Sequence, residues 1–201
     1  MAQIKRDVDA IYLGFAGSNP LRFLKQFDEA GLRGKIAVLG NTTSTDEGIL
    51  KVMSEEAVGT YSAGWYTAML DTPDNKKFVS AINADFGHDP GFYTAGPYTA
   101  LLIIEEALKA TRGRTEDAAL FLKAMHDVRL GRGPIGPIRL DDYGTPVLDI
   151  CIRKVERRDG KLVNAILKTY PQVSQFWTYD PATFVTQPVF SREFPPSKYV
   201  E

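Results

Sequence analysis

The sequence predicts an α/β protein built on a doubly wound parallel sheet, with an antiparallel β-hairpin near its C-terminal end. Three observations carry this expectation. Ala10-Ile11-Tyr12-Leu13-Gly14 reads as a buried strand, a loop of mostly small residues follows, and Leu21 to Phe27 has the spacing of an amphipathic helix that Gly31 ends in the left-handed conformation. Lys35-Ile36-Ala37-Val38-Leu39-Gly40 is a second apolar strand and leads into a polar loop, Asn41 to Thr45. Alternating segments on both sides of Arg158-Asp159-Gly160 make 147–168 a hairpin.

Taken in order, the pattern predicts strand 9–14, helix 20–30, strand 36–39, helix 46–54, strand 58–66, and helices 75–86, 94–111 and 116–126. Strands near 135–140, 147–156 and 161–168 complete the series. Asn19 is the expected N-cap of the first helix, with Pro20 at its first position, where a missing N–H costs nothing. Asp74 is expected to cap a helix whose Phe78, Val79, Ile82 and Phe86 form one apolar face and which Gly87 stops. Helix 94–111 differs, because Ala100, Leu101, Ile103, Ile104, Ala107 and Leu108 make it apolar around much of its circumference. It needs partners on several sides; where these are missing, Leu101, Leu102, Ile103, Ile104 and Leu108 should form an exposed apolar patch.

With 201 residues, 44% of them hydrophobic, the chain can bury a substantial core in one or two domains. A net charge of −1, with both signs scattered, gives no footprint for nucleic acid, and the basic residues from Arg153 to Arg158 alternate along a hairpin. Cys151 stands alone, so neither an intrachain disulfide nor a cysteine-based zinc site can be assembled. The longest apolar run, Leu101 to Ile104, is too short to span a bilayer, which argues against direct membrane insertion. The start Met1-Ala2-Gln3-Ile4-Lys5-Arg6 lacks the apolar stretch of a signal peptide.

The blocks AIYLGF (10–15), LRFLKQFDEAGL (21–32), KIAVLG (35–40), VGTYSAGWY (58–66), KKFVSAINADFGHDPGFYTAGPYTALLIIEEAL (76–108) and GPIRLDDYGTPVLDICIRKV (136–155) carry a resemblance. In this order they resemble the second half of type I periplasmic binding proteins, and more narrowly the branched-chain-amino-acid-type receptors of ABC importers. The tail, Gln175-Phe176-Trp177-Thr178-Tyr179-Asp180-Pro181 with Gln187 to Ser191, is similar to a branch associated with aromatic and other organic acids. The resemblance implies two lobes between which the chain passes: lobe two over 1–94, a returning segment of lobe one over 95–145, and a lobe-two hairpin and tail over 146–201. This chain then reads as a C-terminal fragment with an incomplete sheet. It further implies a periplasmic parent that captures a small organic ligand, catalyses nothing, needs no cofactor and hands its ligand to an ABC permease. A ligand-sensing regulatory domain of the same fold is the alternative, and an α/β enzyme a weaker one.

No catalytic constellation emerges. Gly131-Arg132-Gly133-Pro134-Ile135-Gly136 has dinucleotide-loop spacing, yet a helix precedes it, a strand follows it and Pro134 removes a donor, so it reads as a turn. His88 and His126 have no ligand-spaced partners for a metal, and Asp141 and Asp142 adjoin a turn glycine. Ser18 and Ser62 lack a nucleophile elbow, and Cys151 reads as a packing residue.

The binding candidates sit at strand ends. The resemblance assigns ligand contact to the loop Phe15, Ala16, Gly17, Ser18 and to the loop Asn41, Thr42, Thr43, where amino acid binders carry an acid. That acid is absent here. A buried ammonium without a charged partner costs several kcal/mol, roughly, so hydroxyls and amides suit a carboxylate or neutral group, and small side chains leave room for a ring. Tyr61 and Trp65 offer aromatic faces for stacking, while Tyr66, Tyr93 and Tyr98 suit core or hinge packing and Phe176, Trp177 and Tyr179 suit tail anchoring.

Overall fold

The computed structural model of the chain describes Met1, Ile4, Lys5 and residues 7–194; residues 195–201 of the expected tail, and Ala2, Gln3 and Arg6 of the N-terminal segment, lie outside the described residues. Strand β1 (Ala10–Leu13) and helix α1 (Asn19–Glu29) form as the hydropathy pattern requires, with Pro20, Leu24 and Phe27 buried on one helix face. Burying Leu24 or Phe27 contributes about 1.5–3 kcal/mol each. Gly31, at φ +65°, ends α1 in the left-handed region, and β2 (Ala37–Gly40) pairs parallel with β1.

Helix 46–54 contracts to α2 (Glu47–Leu50), followed by a tight 3-10 turn at Glu55–Ala57. Leu50, Met53 and Ala57 still turn inward at helical spacing, so the periodicity was real while tighter turns delivered it. Strand 58–66 likewise contracts to β3 (Tyr61–Gly64), because Gly59 takes φ +91°. α3 (Pro73–Phe86) is capped by Thr72, whose side chain accepts from Asn75 N–H; Asp74 instead accepts from Gly133 N–H in a distant loop. α4 (Phe92–Thr111) starts two residues early, and α5 (Ala118–Asp127) has Asp117 as its N-cap. β4 (Arg129–Leu130) and β5 (Ile138–Leu140) form an antiparallel pair around the Gly131–Gly136 loop, which is a turn. β6 (Pro146–Arg158) and β7 (Lys161–Val173) make a longer hairpin than expected, turning at Asp159 and Gly160 with positive φ at both. A last short helix, α6 (Pro181–Phe184), lies in the tail.

The seven strands run in the order β1-β2-β3-β6-β5-β4, with β7 on β6. β1, β2 and β3 are parallel; β3 meets β6 antiparallel, and β6 pairs β5 near its start and β7 along most of its length. Two apolar cores result. The first joins Leu13, Leu24, Phe27, Val38, Leu50 and Val155; the second joins Tyr66, Phe78, Ala95, Ile103, Ile138 and Leu148. β6 therefore contributes Leu148 to one core and Val155 to the other.

Helix α4 does not show the expected patch: Leu101 is 64% exposed, but Ile103 is buried and Leu102, Ile104 and Leu108 are half-buried. Wet apolar surface is found on the sheet and beside α4 instead of along the expected run. Tyr12 and Leu39 are 69% and 41% exposed on the sheet face opposite α1, and an apolar groove of ≈ 440 Å³ runs between α4, β5 and the β6–β7 hairpin.

Candidate functional site

Parallel strands carry their C-terminal loops to one edge, and β1, β2 and β3 do so through specific hydrogen bonds. Asn41 N–H donates to Leu13 O (3.3 Å), the Thr43 hydroxyl to Phe15 O (2.7 Å), and the Thr42 hydroxyl to Ala63 O (2.7 Å). Residues 15, 41–43 and 63 are thereby laced into one rim. Small residues permit this approach: a Cβ on Gly64 would fall 2.8 Å from Thr42 Oγ1, and one on Gly40 2.8 Å from Ser44 Cβ. Asn41 Oδ1 accepts from Ser44 N–H (3.0 Å) and the Ser44 hydroxyl (2.7 Å). With its oxygen engaged, half-buried Asn41 retains two Nδ2 hydrogens as donors.

Along the first loop Phe15 rests against Phe23 with ring centroids 5.7 Å apart, while Ala16, Gly17 and Ser18 are exposed. The N-cap of α1 is Ser18, not Asn19, because Ser18 O accepts Arg22 N–H at 3.2 Å and starts the helical ladder one residue earlier. Among the described residues no side chain caps this end, so the Asn19 and Leu21 amides keep their donors, Pro20 having none, and the helix dipole faces the rim.

Tyr61 and Trp65 leave in other directions. Tyr61 opens β3 in register with Leu39, and its ring lies 5.3 Å from Lys154 Nζ on the sheet face. Half-buried Trp65 meets Phe92 edge-on at 5.5 Å and lines the apolar groove. Tyr66 is buried against Phe78, and burial pushes its phenol pKa well up.

Behind the rim lies a buried polar layer. Arg153 of β6, with no exposed surface, donates to Ser62 Oγ (3.2 Å), Tyr66 O (2.5 Å) and Thr42 O (3.4 Å). Burial lowers its pKa, opposed by the charges of Glu47 and Asp46. Asp46 accepts from Gly48 N–H (3.0 Å) and, across the chain, from Phe92 N–H at the start of α4 (2.8 Å). Glu47 Oε1 accepts from Ala68 N–H (3.1 Å) and Asn164 Nδ2 (3.2 Å), and burial raises the Glu47 pKa against the pull of Arg153.

A family profile described as periplasmic binding protein matches residues 1–161. The chain belongs to that family. Among relatives of this periplasmic binding protein chain, a solute-binding protein of an ABC transporter from Rhodopseudomonas palustris BisB5, solved with 3,4-dihydroxybenzoic acid, is 34% identical. It superposes with TM-score 0.77 over 87% of this chain and 47% of its own. A second R. palustris solute-binding protein, in complex with benzoate, is 25% identical with TM-score 0.73, over 84% of this chain and 45% of its own. The Leu/Ile/Val-binding protein homolog 6 of Brucella suis is 27% identical over 177 residues, 85% of this chain and 45% of its own length. The chain thus spans about half the length of these relatives.

The periplasmic binding protein fold explains why reading the sequence missed the polar layer. Arg153 lies inside a basic run that reads as a solvated hairpin, yet it shares the inward period of Cys151 and Val155, and that parity was the available signal. Asn164, Glu47 and Thr45 become neighbours only when β7 closes over α2. Cys151 is buried 3.7 Å from Thr169 Oγ1; burial raises the thiol pKa, against the lowering effect of the Thr169 contact. His126 Nε2 meets Asp141 O at 2.8 Å, and Asp141 accepts two backbone N–H groups of its own turn. In the tail, Phe176 is the anchor, packed on Tyr143 and Phe184, while Trp177 and Tyr179 are exposed. Among the described residues, no group of His, Cys, Asp and Glu is arranged to hold a metal ion, and no helix is long and apolar enough to cross a membrane.

Proposed function

We propose that this chain is the C-terminal half of the substrate-binding protein of an ABC importer, that its parent works in the periplasm, and that its ligand is an aromatic or other organic carboxylate. The observation that carries this reading is the chemistry of the rim: residues 14–19 and 41–44 contain no acid, while Asn41 Nδ2 and the uncapped N-terminus of α1 offer donors. Phe15, Ala16, Gly17, Ser18, Asn41, Thr42 and Thr43 line the lobe-two side of the cleft in this proposal. Ala16 and Gly17 leave space for a ring, and Thr42 and Thr43 hold the rim in shape, while Tyr61 and Trp65 are directed away from it. Hydrogen bonds to a charged group are worth about 1.5–3 kcal/mol, enough to favour a carboxylate over a zwitterion whose ammonium finds no anion. Two of the structural relatives were solved with aromatic acids, which supports the same class.

The two cores correspond, in this proposal, to parts of two lobes. The expected boundary at 94–95 moves to the end of β3 in this proposal, because Tyr66 and Phe78 share a core with Ala95, Ile103 and Leu148: residues up to Gly64 and the turn end of the β6–β7 hairpin form one part, and the chain from Trp65 through Leu148 the other. Closure of such lobes on ligand is a population shift that requires contacts from both sides, and a permease would read the closed form. Nothing in this scheme is catalytic.

Calorimetry tests it on a two-lobed protein that joins this chain to the N-terminal half of the R. palustris BisB5 relative. Benzoate or 3,4-dihydroxybenzoate should bind at least ~10-fold tighter than leucine, and Asn41→Asp should reduce that preference ~10-fold or more, about 1.4 kcal/mol. Tighter binding of leucine to the unmutated protein overturns the reading.

A further inference from the structure

Among the described residues, two buried oxygens in the polar layer have no hydrogen-bond partner: Glu47 Oε2 and Asn164 Oδ1. Buried orphans of this kind are costly, and these two belong to side chains already in contact through Asn164 Nδ2 and Glu47 Oε1 at 3.2 Å. An ionised carboxylate only accepts, so it cannot satisfy a neighbouring carbonyl oxygen; a protonated one carries an O–H donor. A carboxylic acid and a primary amide are complementary on both edges. We propose that Glu47 is a neutral acid closing a two-hydrogen-bond ring with Asn164, Nδ2–H to Oε1 and Oε2–H to Oδ1, and that this ring is a proton-dependent positioning element for the rim loop 41–44.

One proton satisfies both orphans, and the remaining contacts agree. Asn164 gives its other Nδ2 hydrogen to Thr45 O (2.6 Å), immediately after the loop, and Glu47 Oε1 also takes Ala68 N–H beyond β3. Thr45 Oγ1 meets Ser62 Oγ at 3.0 Å, the same hydroxyl that Arg153 grips. The ring therefore ties the rim loop, the segment after β3 and β7 together. Its charged and titratable surroundings are Asp46 beside it, Arg153 of β6 and Tyr66 after β3. Across an adjoining cavity of ≈ 370 Å³ stand Lys51, His88, Asp89, Arg157 and Lys161. With Glu47 neutral, the Asp46 carboxylate still favours the charged form of buried Arg153. Burial raises the Glu47 pKa and Arg153 lowers it, with burial the larger cause.

The sign of the pH dependence follows. The folded chain holds a proton that the unfolded chain releases near the ordinary carboxylate pKa of about 4.3, so stability falls as pH rises from there through the raised folded pKa. Glu47→Gln keeps both ring hydrogen bonds as an amide–amide pair and cannot titrate. The expected result is that Glu47→Ala lowers Tm and Glu47→Gln restores it, with the Gln variant gaining on the wild type as pH rises. Infrared spectra of the wild-type chain at pH 7 should show a protonated-carboxyl band that the Gln variant lacks. A Gln variant as damaged as the Ala variant, or one that fails to fold, together with no such band in the wild type, means Glu47 is an anion paired with Arg153 and overturns the proposal. The infrared band on the wild type decides the protonation state whatever the variants do.

Discussion

Arg153 occupies the inward period of β6 between Cys151 and Val155, both buried, where alternation predicts an apolar side chain. Its guanidinium holds the carbonyls of Thr42 and Tyr66 and the Ser62 hydroxyl, three acceptors on separate turns of chain that one planar fork can reach. Lysine has a single ammonium on a flexible stem. Arg153→Lys should therefore cost about 3 kcal/mol, the lower part of the range for breaking a buried charged contact, read as a fall in the urea midpoint. Cys151 offers a second residue-scale test. Buried and with a raised thiol pKa, it should react with a thiol reagent only as fast as the sheet opens, so denaturant should accelerate labelling steeply. Rapid labelling of the native chain would contradict its buried placement.

α4 begins at Gly91, which supplies no capping side chain, and Asp46 supplies the missing acceptor from outside the helix. A Cβ on Gly91 would fall 2.3 Å from Asp46 Oδ2, so the glycine is what lets the carboxylate reach the helix end. Asp46→Ala removes the caps of α2 and α4 together and should cost about 1–2 kcal/mol by urea unfolding, with Asp46→Asn recovering most of it. If Asp46→Ala leaves the midpoint unchanged, the cross-chain cap is energetically idle. Helices α1, α3, α4 and α5 were legible because their apolar periods run for several turns. α2 and β3 were misjudged in length because Gly59 and the tight turns after Leu50 preserve the inward pattern while breaking the regular ladder. The caps Asn19 and Asp74 were misassigned for a different reason. Ser18 and Thr72 stand one or two residues earlier, and what decides a cap is where the helical ladder starts.

At the scale of the whole molecule, wet apolar surface includes the sheet face bearing Tyr12 and Leu39 and the groove bordered by Trp65, Ile103 and Leu148. At roughly 25 cal/mol per Å², a few hundred Å² of such surface is worth several kcal/mol, comparable with the stability of a small domain. The chain alone should self-associate as its concentration rises and should bind a hydrophobic dye in the native state, both measurable by sedimentation and fluorescence. A sharp monomer boundary at high concentration with no dye binding would show that these faces are not a driving force.

Strand, loop and helix at 10–31, the second strand and its polar loop, the hairpin and the absence of an acid on the rim followed from the sequence alone, because each depends on residues near one another in the chain. The lacing of Phe15 to Thr43 and Thr42 to Ala63, the departure of Tyr61 and Trp65 from the rim, and the burial of Arg153 were decided by tertiary structure. Glu47 and Asn164 are the extreme case. They lie more than a hundred residues apart, each is ordinary in its local pattern, and only β7 packing over α2 brings them into a buried site where a carboxyl group holds its proton more tightly than in water.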